Sequence, residues 1–157
     1  MNQHLLSQSE INHYHDEGFL IPQLTLEGSE IEELKHAVDR VLDANSGIRP
    51  EQLISVHIDR LNDEGVWGDR VFFELANHPK ILDCVEQLIG PDIILWGCQL
   101  FCKPGGDGME VPMHQDGNYW PIRPLATCTA WVAIDESNIG NGCMKVIPGS
   151  HKESVSF

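Results

Sequence analysis

Residues 113–120 read Met113-His114-Gln115-Asp116-Gly117-Asn118-Tyr119-Trp120. Within this segment His114 offers an imidazole nitrogen and Asp116 a carboxylate oxygen, with one residue between them. Side chains two residues apart in an extended segment point to the same face, so both donors can reach one ion. A nitrogen together with a hard oxygen suits a divalent first-row metal, and a second histidine would complete the two-histidine, one-carboxylate arrangement of non-haem iron(II) sites. We therefore interpret the segment as half of a metal site.

The surroundings distinguish this pair from other matches to the same pattern. A histidine with an acidic residue two positions later also occurs at His15, His57 and His151. His114 alone lies between two strand-like runs, residues 93–108 and 127–135, where a ligand pair at the mouth of a barrel would sit. The alternative interpretation is a polar loop whose side chains make ordinary hydrogen bonds.

The composition is typical of a soluble globular protein of one domain. The chain has 157 residues, of which 41% are hydrophobic and 22% charged. Asp and Glu number 24 against 10 Lys and Arg, and the resulting net charge of −14 disfavours nucleic acid and anionic membranes as partners. The same charge means that an anionic cosubstrate needs a local cationic group. We expect neither a signal peptide nor a membrane-spanning segment, because no apolar run approaches about 20 residues.

The cysteines indicate a reducing compartment. Their number is odd and none forms a Cys-x-x-Cys pair, which disfavours a disulfide framework or a zinc site. We expect reduced thiols, most of them in the core of a cytoplasmic protein. The five are Cys84, Cys98, Cys102, Cys128 and Cys143.

Two apolar patterns near the N-terminus predict helices. Residues 9–17 form a short helix that Gly18 ends. Ser29 and Glu32 have the spacing of a capping box, and the helix that they open continues to about Asn45. Its apolar residues recur at three- and four-residue intervals and should face the core. This stripe consists of Ile31, Leu34, Val38, Val41 and Leu42.

Two more helices follow an irregular connection. Residues 48–69 contain several helix breakers, and a long connection of this kind often lies over an active site. His57 or Arg60 could contribute to a pocket there, and the alternative is that both are ordinary exposed loop residues. Helices are then predicted at Arg70–Ala76 and at Pro79–Ile89, the second with its proline in the first turn. The buried stripe of the last helix is predicted as Ile81, Leu82, Val85, Leu88 and Ile89.

Beyond the last helix the apolar period becomes that of strands. Residues 93–103 alternate, with Gln99 as the polar member of one face. Residues 127–135 alternate again, with Trp131 and two threonines on one face, and 143–147 predict a further strand. Gln99 and Trp131 are candidates for the lining of a ligand cavity. The ordinary alternatives are a glutamine that satisfies a neighbouring backbone group and a face open to solvent.

An ordered set of motifs in this chain resembles the phytanoyl-CoA dioxygenase family. The set is much more specific than the two-ligand pattern alone, and compatible features extend over residues 7–152. It comprises His114-Gln115-Asp116, Tyr119-Trp120-Pro121, Thr129-Ala130-Trp131-Val132-Ala133, Asn141-Gly142-Cys143 and Val146-Ile147-Pro148-Gly149-Ser150-His151-Lys152.

The resemblance implies a mainly β fold with flanking helices, a double-stranded β-helix or jelly-roll barrel of the cupin kind. On this basis we expect a single oxygenase domain over residues 1–157. Its N-terminal part, residues 1–91, should be mostly helical. The first barrel strands, with the His-x-Asp motif, should lie within residues 92–157.

The resemblance also implies iron(II) as cofactor, with 2-oxoglutarate and O2 as cosubstrates, and hydroxylation of a small organic substrate at an unactivated C–H bond. Transferred to this chain, it makes His114 and Asp116 the first two iron ligands. Gln99 and Trp131 match positions that line the 2-oxoglutarate pocket. His151 is not an iron ligand in the family. The carboxylate of Asp116 favours a hydroxylase, because related halogenases have a small residue at that position.

The sequence departs from the family pattern after the Pro-Gly-Ser-His turn. The family's third iron ligand, a histidine, and the arginine that follows it have no counterpart here. We count about four or five strands, whereas a jelly roll needs about eight. The leading interpretation is the N-terminal portion of a longer enzyme. The alternatives are a short relative that completes its barrel with a second chain and a catalytically silent binding module; a metal-dependent cupin of another reaction type ranks third as a function.

Overall fold

The computed structural model describes residues 5–153, in which most of the regular structure is helical. The helices are α1 (Gln8–Glu17), α2 (Gly28–Ala44), α3 (Arg70–Ala76) and α4 (Pro79–Ile89), and the strands are β1 (Leu53–Ile54) and β2 (Gln99–Leu100). Short 3-10 turns occupy Pro50–Gln52, Asp116–Asn118, Ile139–Asn141 and Ser150–Lys152. No helix within residues 5–153 combines the length and the apolar character needed to cross a lipid bilayer.

Local hydrogen bonds fix both ends of α1. The Ser7 hydroxyl accepts from the backbone N–H of Glu10 at 3.3 Å, and the Glu10 carboxylate accepts from the N–H of Ser7 at 2.8 Å. This reciprocal capping box begins the helix at Gln8. Gly18 ends it, as predicted, with a φ of 82° that glycine adopts without steric cost.

The capping box predicted at Ser29 is wrong, because α2 includes this residue in its first turn. The Glu30 carboxylate instead accepts from the backbone N–H of Glu27 at 2.6 Å. Leu26, just before the helix, and Ile31, in its first turns, both pack against the core. Apolar residues at these two positions fix the angle at which a chain enters a helix, so we attribute the earlier start to them.

The core lies where α2, α3 and the connection between them meet. One face of α2 buries Leu34, Ala37 and Val41. This confirms the predicted stripe at Leu34 and Val41 and adds Ala37, whose small side chain the prediction omitted. The remaining residues of the stripe, Ile31, Val38 and Leu42, are partly buried beside them. The other buried members of the core are Leu53, Val56, Val66, Phe72 and Leu100.

The bounds predicted for α3 and α4 are confirmed. Asp69 caps α3 by accepting from the N–H of Val71 at 2.9 Å, and Pro79 occupies the first turn of α4. The stripe predicted to be buried on α4 is wrong in part, since the buried residue of this helix is Cys84 and Ile89 is exposed. The neighbour of α4 is α1, a shorter helix with no buried residue of its own, which does not cover the whole stripe.

The irregular connection between α2 and α3 contributes to the core. Val56 and Val66 are buried, as is the side chain of Asn62. Asn62 accepts from the N–H of Val66 at 2.9 Å and donates to the Ile54 carbonyl oxygen at 3.1 Å. Gly68 tolerates no side chain, because a Cβ would lie 2.4 Å from the Val56 carbonyl oxygen. The asparagine thus supplies backbone groups with partners where no regular element does.

Most of the predicted strand structure is absent from the described residues. β2 is two residues long and pairs antiparallel with β1, with Leu100 opposite Leu53. No strand is formed within residues 127–135 or 143–147. An extended segment becomes a strand only where a neighbour takes up its backbone hydrogen bonds, and the described part of the chain offers no such neighbour there. The prediction of a mainly β jelly roll is therefore not confirmed, since the sheet within these residues has two strands.

Polar contacts attach the second part of the chain to the first. The Glu51 carboxylate accepts from the N–H of Met109 at 2.8 Å and from the Arg49 guanidinium. Arg49 also donates to the Asp107 carbonyl oxygen at 3.0 Å. The hydrogen bonds from Arg49 and Met109 lower the pKa of Glu51 to about 2. The predicted division of the domain at residue 91 stays a prediction.

Candidate functional site

The structure brings His114 and Asp116 together. Asp116 begins the 3-10 turn Asp116–Asn118, in which the N–H of Tyr119 donates to the Asp116 carbonyl oxygen at 2.9 Å. This turn directs the carboxylate back towards the His114 ring, and Nε2 of His114 lies 3.1 Å from Oδ1 of Asp116. The two side chains are 37% and 46% exposed, so the pair is open to ions and small ligands.

A backbone contact determines which nitrogen of His114 carries hydrogen. Nδ1 lies 2.8 Å from the Pro112 carbonyl oxygen. A carbonyl oxygen can only accept, so Nδ1 is the donor and Nε2 of the neutral ring keeps its lone pair, which faces Asp116. A backbone carbonyl on one ring nitrogen is a common partner of a histidine whose other nitrogen binds a metal.

The lone pairs of Nε2 and Oδ1 face each other and repel, so a positive charge between them would stabilise the arrangement. A cation bound by both atoms would supply that charge. One imidazole nitrogen with one carboxylate oxygen is a donor set suited to a divalent first-row metal, so the pair fits such an ion as two of its ligands. Within residues 5–153, no three side chains of His, Cys, Asp and Glu form a group that could hold a metal ion.

An aromatic ring flanks the pair. Tyr119 packs edge to face with His114, with ring centroids 6.1 Å apart and planes at 67°. Its own side chain is 75% exposed. The contact limits rotation of the imidazole on one side.

The residue between the two candidate ligands makes distant contacts. Gln115 donates from Nε2 to the carbonyl oxygens of Ser150 at 2.7 Å and Glu153 at 2.9 Å. In an extended segment the middle residue points away from its two neighbours. Gln115 therefore attaches the back of the motif to the turn Ser150–Lys152, while His114 and Asp116 remain at the front.

Gln99 and Trp131 lie apart from this hydrogen-bond network. Gln99 is an exposed residue of β2, and Trp131 is 44% exposed in an extended segment without strand partners. Neither side chain hydrogen-bonds to any residue in the described part of the chain. The structure therefore joins His114 to Asp116 but places neither Gln99 nor Trp131 in contact with the pair through such a bond.

The predicted alternation of faces is confirmed within residues 98–103 and 131–135. It is wrong nearer the start of the first segment, where Ile94 and Trp96, on the same predicted face as Leu100, are 89% and 60% exposed. Cys98, Leu100 and Cys102, predicted to share a face, all pack on the core, whereas Gln99 between them is exposed. In the second segment Ile134 packs on the core and Trp131 is exposed. Both candidate lining residues thus lie on the faces that the core leaves uncovered.

Two histidines outside the motif have different surroundings. His57 is partly buried, and its Nδ1 has no hydrogen-bond partner among the described residues. His151 donates from Nε2 to the carbonyl oxygen of His15 at 3.1 Å, so its ring contacts the end of α1. The contacts of His151 and Gln115 were not predicted. For Gln115 the sequence did contain a signal: it lies between the two candidate ligands, so its side chain faces away from both of them.

A family model described as phytanoyl-CoA dioxygenase (PhyH) matches residues 14–157. The peroxisomal phytanoyl-CoA dioxygenase of Homo sapiens is 39% identical over 92 residues, which cover 55% of this chain and 27% of that protein. The Bos taurus protein of the same name is 27% identical over 169 residues, covering 94% of this chain and 48% of the relative.

Similarity extends to dioxygenases with another named substrate. The ectoine dioxygenase of Halomonas elongata is 23% identical over 166 residues, covering 96% of this chain and 47% of that protein. The chain thus spans about half the length, or less, of these curated relatives. No solved structure matches it.

Proposed function

Because this chain belongs to the phytanoyl-CoA dioxygenase family, we propose that it acts in an iron(II)- and 2-oxoglutarate-dependent dioxygenase. The proposed reaction is hydroxylation of a small organic substrate at an unactivated C–H bond. The family has a cupin-like fold, and we propose a jelly-roll barrel as the architecture to which the extended residues 93–103 and 127–135 contribute.

The distance of 3.1 Å between His114 Nε2 and Asp116 Oδ1 is the main support for this function. These two atoms would be ligands of iron(II), while the Pro112 carbonyl oxygen keeps the hydrogen on the other nitrogen of the ring. Iron(II) bound with 2-oxoglutarate supplies the activation of O2. The residues of this chain hold the ion, keep His114 in the metal-binding tautomer and leave the pair accessible to substrate.

We propose that Gln99 and Trp131 line the 2-oxoglutarate pocket. Both are exposed on faces opposite those that pack on the core, so they are available to a ligand. The glutamine amide and the indole N–H can each donate to a carboxylate. Specific donors are needed because the chain carries a net charge of −14, which repels a dianionic cosubstrate.

The proposed partner is a small molecule, and neither nucleic acid nor a membrane. The net charge of −14 supports this, because both excluded partners attract basic surfaces. We also propose a cytoplasmic location, supported by the five free cysteines. The mammalian relatives above are named as peroxisomal proteins.

Anaerobic titration of the chain with iron(II) and then 2-oxoglutarate tests the metal site. We expect the visible charge-transfer band of the chelate in the wild-type chain. His114→Ala and Asp116→Ala should each weaken iron(II) binding by more than about 100-fold, because each removes a ligand. His36→Ala is the matched control, since His36 is an exposed histidine of α2. A wild-type chain without the band, or a band that is unchanged in His114→Ala, would contradict the proposal.

A catalytically silent binding module on the same fold is the second candidate function. It is favoured by the absence, within residues 5–153, of a third metal-binding side chain beside His114 and Asp116. Product analysis distinguishes the candidates. An oxygenase converts 2-oxoglutarate to succinate and consumes O2, whereas a binding module retains 2-oxoglutarate unchanged. A cupin of another reaction type would bind the metal but would neither convert 2-oxoglutarate to succinate nor retain it as a ligand.

A further inference from the structure

The turn that follows Pro148 covers the C-terminal end of α1. The N–H of Gly149 donates to the Glu17 carbonyl oxygen at 2.8 Å, and His151 Nε2 donates to the His15 carbonyl oxygen at 3.1 Å. The last carbonyl groups of a helix have no partner within the helix itself. Residues 148–153, which we call the latch, therefore satisfy two of these groups from a part of the chain more than 130 residues away.

A glycine makes this close approach possible. A Cβ atom at Gly18 would lie 2.3 Å from Nδ1 of His151, well inside contact distance. The His151 ring thus occupies the space that a side chain at Gly18 would need. Any larger residue there would displace the His151 ring and, with it, the hydrogen bond that joins the latch to α1.

The other side of the latch contacts Gln115 at the back of the motif. Its carbonyl oxygens at Ser150 and Glu153 accept the two hydrogen bonds from Gln115, the residue between His114 and Asp116. Within the described part of the chain, no strand pairs with residues 113–119. The motif therefore relies on side-chain bonds, and those of Gln115 reach 35 and 38 residues along the sequence.

We propose that the latch sets the position of the His114–Asp116 pair, with Gln115 as the positioning residue that connects the two. The end of α1 then determines where the pair lies, through Gly18, His151 and Gln115. This inference rests on the proposed function for its relevance to metal binding. The mechanical connection itself can be measured without a metal.

The first test changes Gly18, which is remote in sequence from the motif. Gly18→Ala should shift the His114 ring resonances in heteronuclear NMR spectra of the ¹⁵N-labelled chain, because the displaced latch pulls on Gln115. Gly65→Ala is the matched control: Gly65 has a φ of 81° against 82° at Gly18, but a Cβ there would meet nothing within 4 Å. Both variants place a side chain at nearly the same positive φ, and only Gly18→Ala meets the latch. His36 serves as an internal reference ring on α2.

A second variant acts on the opposite side of the latch. Gln115→Glu replaces the donor amide by an acceptor and sets a carboxylate against two carbonyl oxygens. It should shift the His114 resonances, whereas Gln52→Glu, with the same charge change at an exposed position, should not. This variant also decides the question if Gly18→Ala fails to fold. Unchanged His114 resonances in Gln115→Glu would overturn the proposal that the latch positions the pair.

Metal affinity then links the latch to function. In the wild-type chain Mn(II) binding should depend on His114, and Gln115→Glu should weaken it by about 10-fold or more, as loss of an outer support does in other metal sites. If Mn(II) binding in the wild type does not depend on His114, the proposed function is contradicted. The NMR result then decides by itself whether the latch positions the pair. Full Mn(II) affinity in Gln115→Glu overturns the positioning role.

Discussion

Two asparagines end helices in the same way but in different surroundings. Asn45 and Asn77 each donate from Nδ2 to the carbonyl oxygen four residues earlier, those of Val41 and Phe73. Asn45 is 5% exposed and also exchanges two hydrogen bonds with the backbone of Trp67, each 2.8 Å long. Asn77 is exposed and makes no second contact of this kind in the described residues. Their comparison isolates the contribution of the bonds to Trp67.

We expect Asn45→Ala to lower the free energy of unfolding by about 2–3 kcal/mol, because a backbone N–H and a carbonyl group lose their partner inside the protein. Asn77→Ala should cost about 1 kcal/mol or less, since water replaces its single bond. Urea denaturation followed by circular dichroism measures both values. Equal losses in the two variants would show that the bonds to Trp67 contribute nothing.

At this scale, sequence reasoning identifies what a single segment contains. His114 and Asp116 are two residues apart, so their proximity follows from local geometry. The role of Gln115 could not be predicted, because its partners Ser150 and Glu153 are 35 and 38 residues away. A pattern within one segment carries no information about a distant carbonyl group.

At the scale of elements, Asp69 joins two helices. Its Oδ1 caps α3 through the N–H of Val71 at 2.9 Å, and its Oδ2 accepts from Nε of Arg40 on α2 at 2.7 Å. The hydrogen bond from Arg40 is the main cause of a lowered pKa at Asp69, and the bond from Val71 acts in the same direction. Burial opposes both, and the pKa nevertheless remains below its ordinary value.

The lowered pKa predicts a contribution to stability that depends on pH. It is fully present above the unfolded pKa of about 3.9 and is lost as the pH falls through the lower folded value. Asp69→Asn keeps a capping oxygen but lacks the charge that pairs with Arg40. Its free energy of unfolding should therefore be lower than that of the wild type by up to about 1 kcal/mol at pH 7, with the difference vanishing as the pH falls below the lowered folded pKa of Asp69. Thermal unfolding at a series of pH values measures this, and a constant difference would contradict it.

Helices and strands differed in how far the sequence predicted them. The bounds of α4 follow from Pro79 in its first turn and from Gly90, which directly follows its last residue, so both signals are local. The start of α2 was misplaced because a glutamate follows three residues after both Glu27 and Ser29, so the sequence offers two capping boxes. The contact of Leu26 with the core distinguishes them. Residues 127–135 have the alternation of a strand, but pairing depends on a partner that their own sequence cannot specify.

At the scale of the whole molecule, apolar surface is concentrated in the second part of the chain. Seven large apolar or aromatic side chains beyond residue 90 are at least half exposed, with values from 50% to 89%. Surface of this kind favours association, while the net charge of −14 opposes it. The seven are Ile94, Trp96, Phe101, Tyr119, Leu125, Ile139 and Met144.

We expect self-association that increases with salt, because at about 0.5 M the repulsion between the charged chains is screened while apolar attraction remains. Light scattering at low and high salt measures the mass. Ile139→Lys should reduce association, whereas Ile21→Lys, with the same charge change at a similarly exposed position in the first part, should have a smaller effect. Association that falls with salt, or responds equally to both substitutions, would contradict the role of this surface.

The buried core is drawn almost entirely from a short stretch of chain. Seven of its eight buried residues lie between Leu34 and Phe72, and Leu100 is the eighth. During synthesis on the ribosome, domains begin to form from their N-terminal part, and contacts between nearby residues form early. We expect most of this core to close before the codons for His114 and Asp116 are translated. We therefore expect substitutions at the candidate site to have little effect on the yield of folded protein.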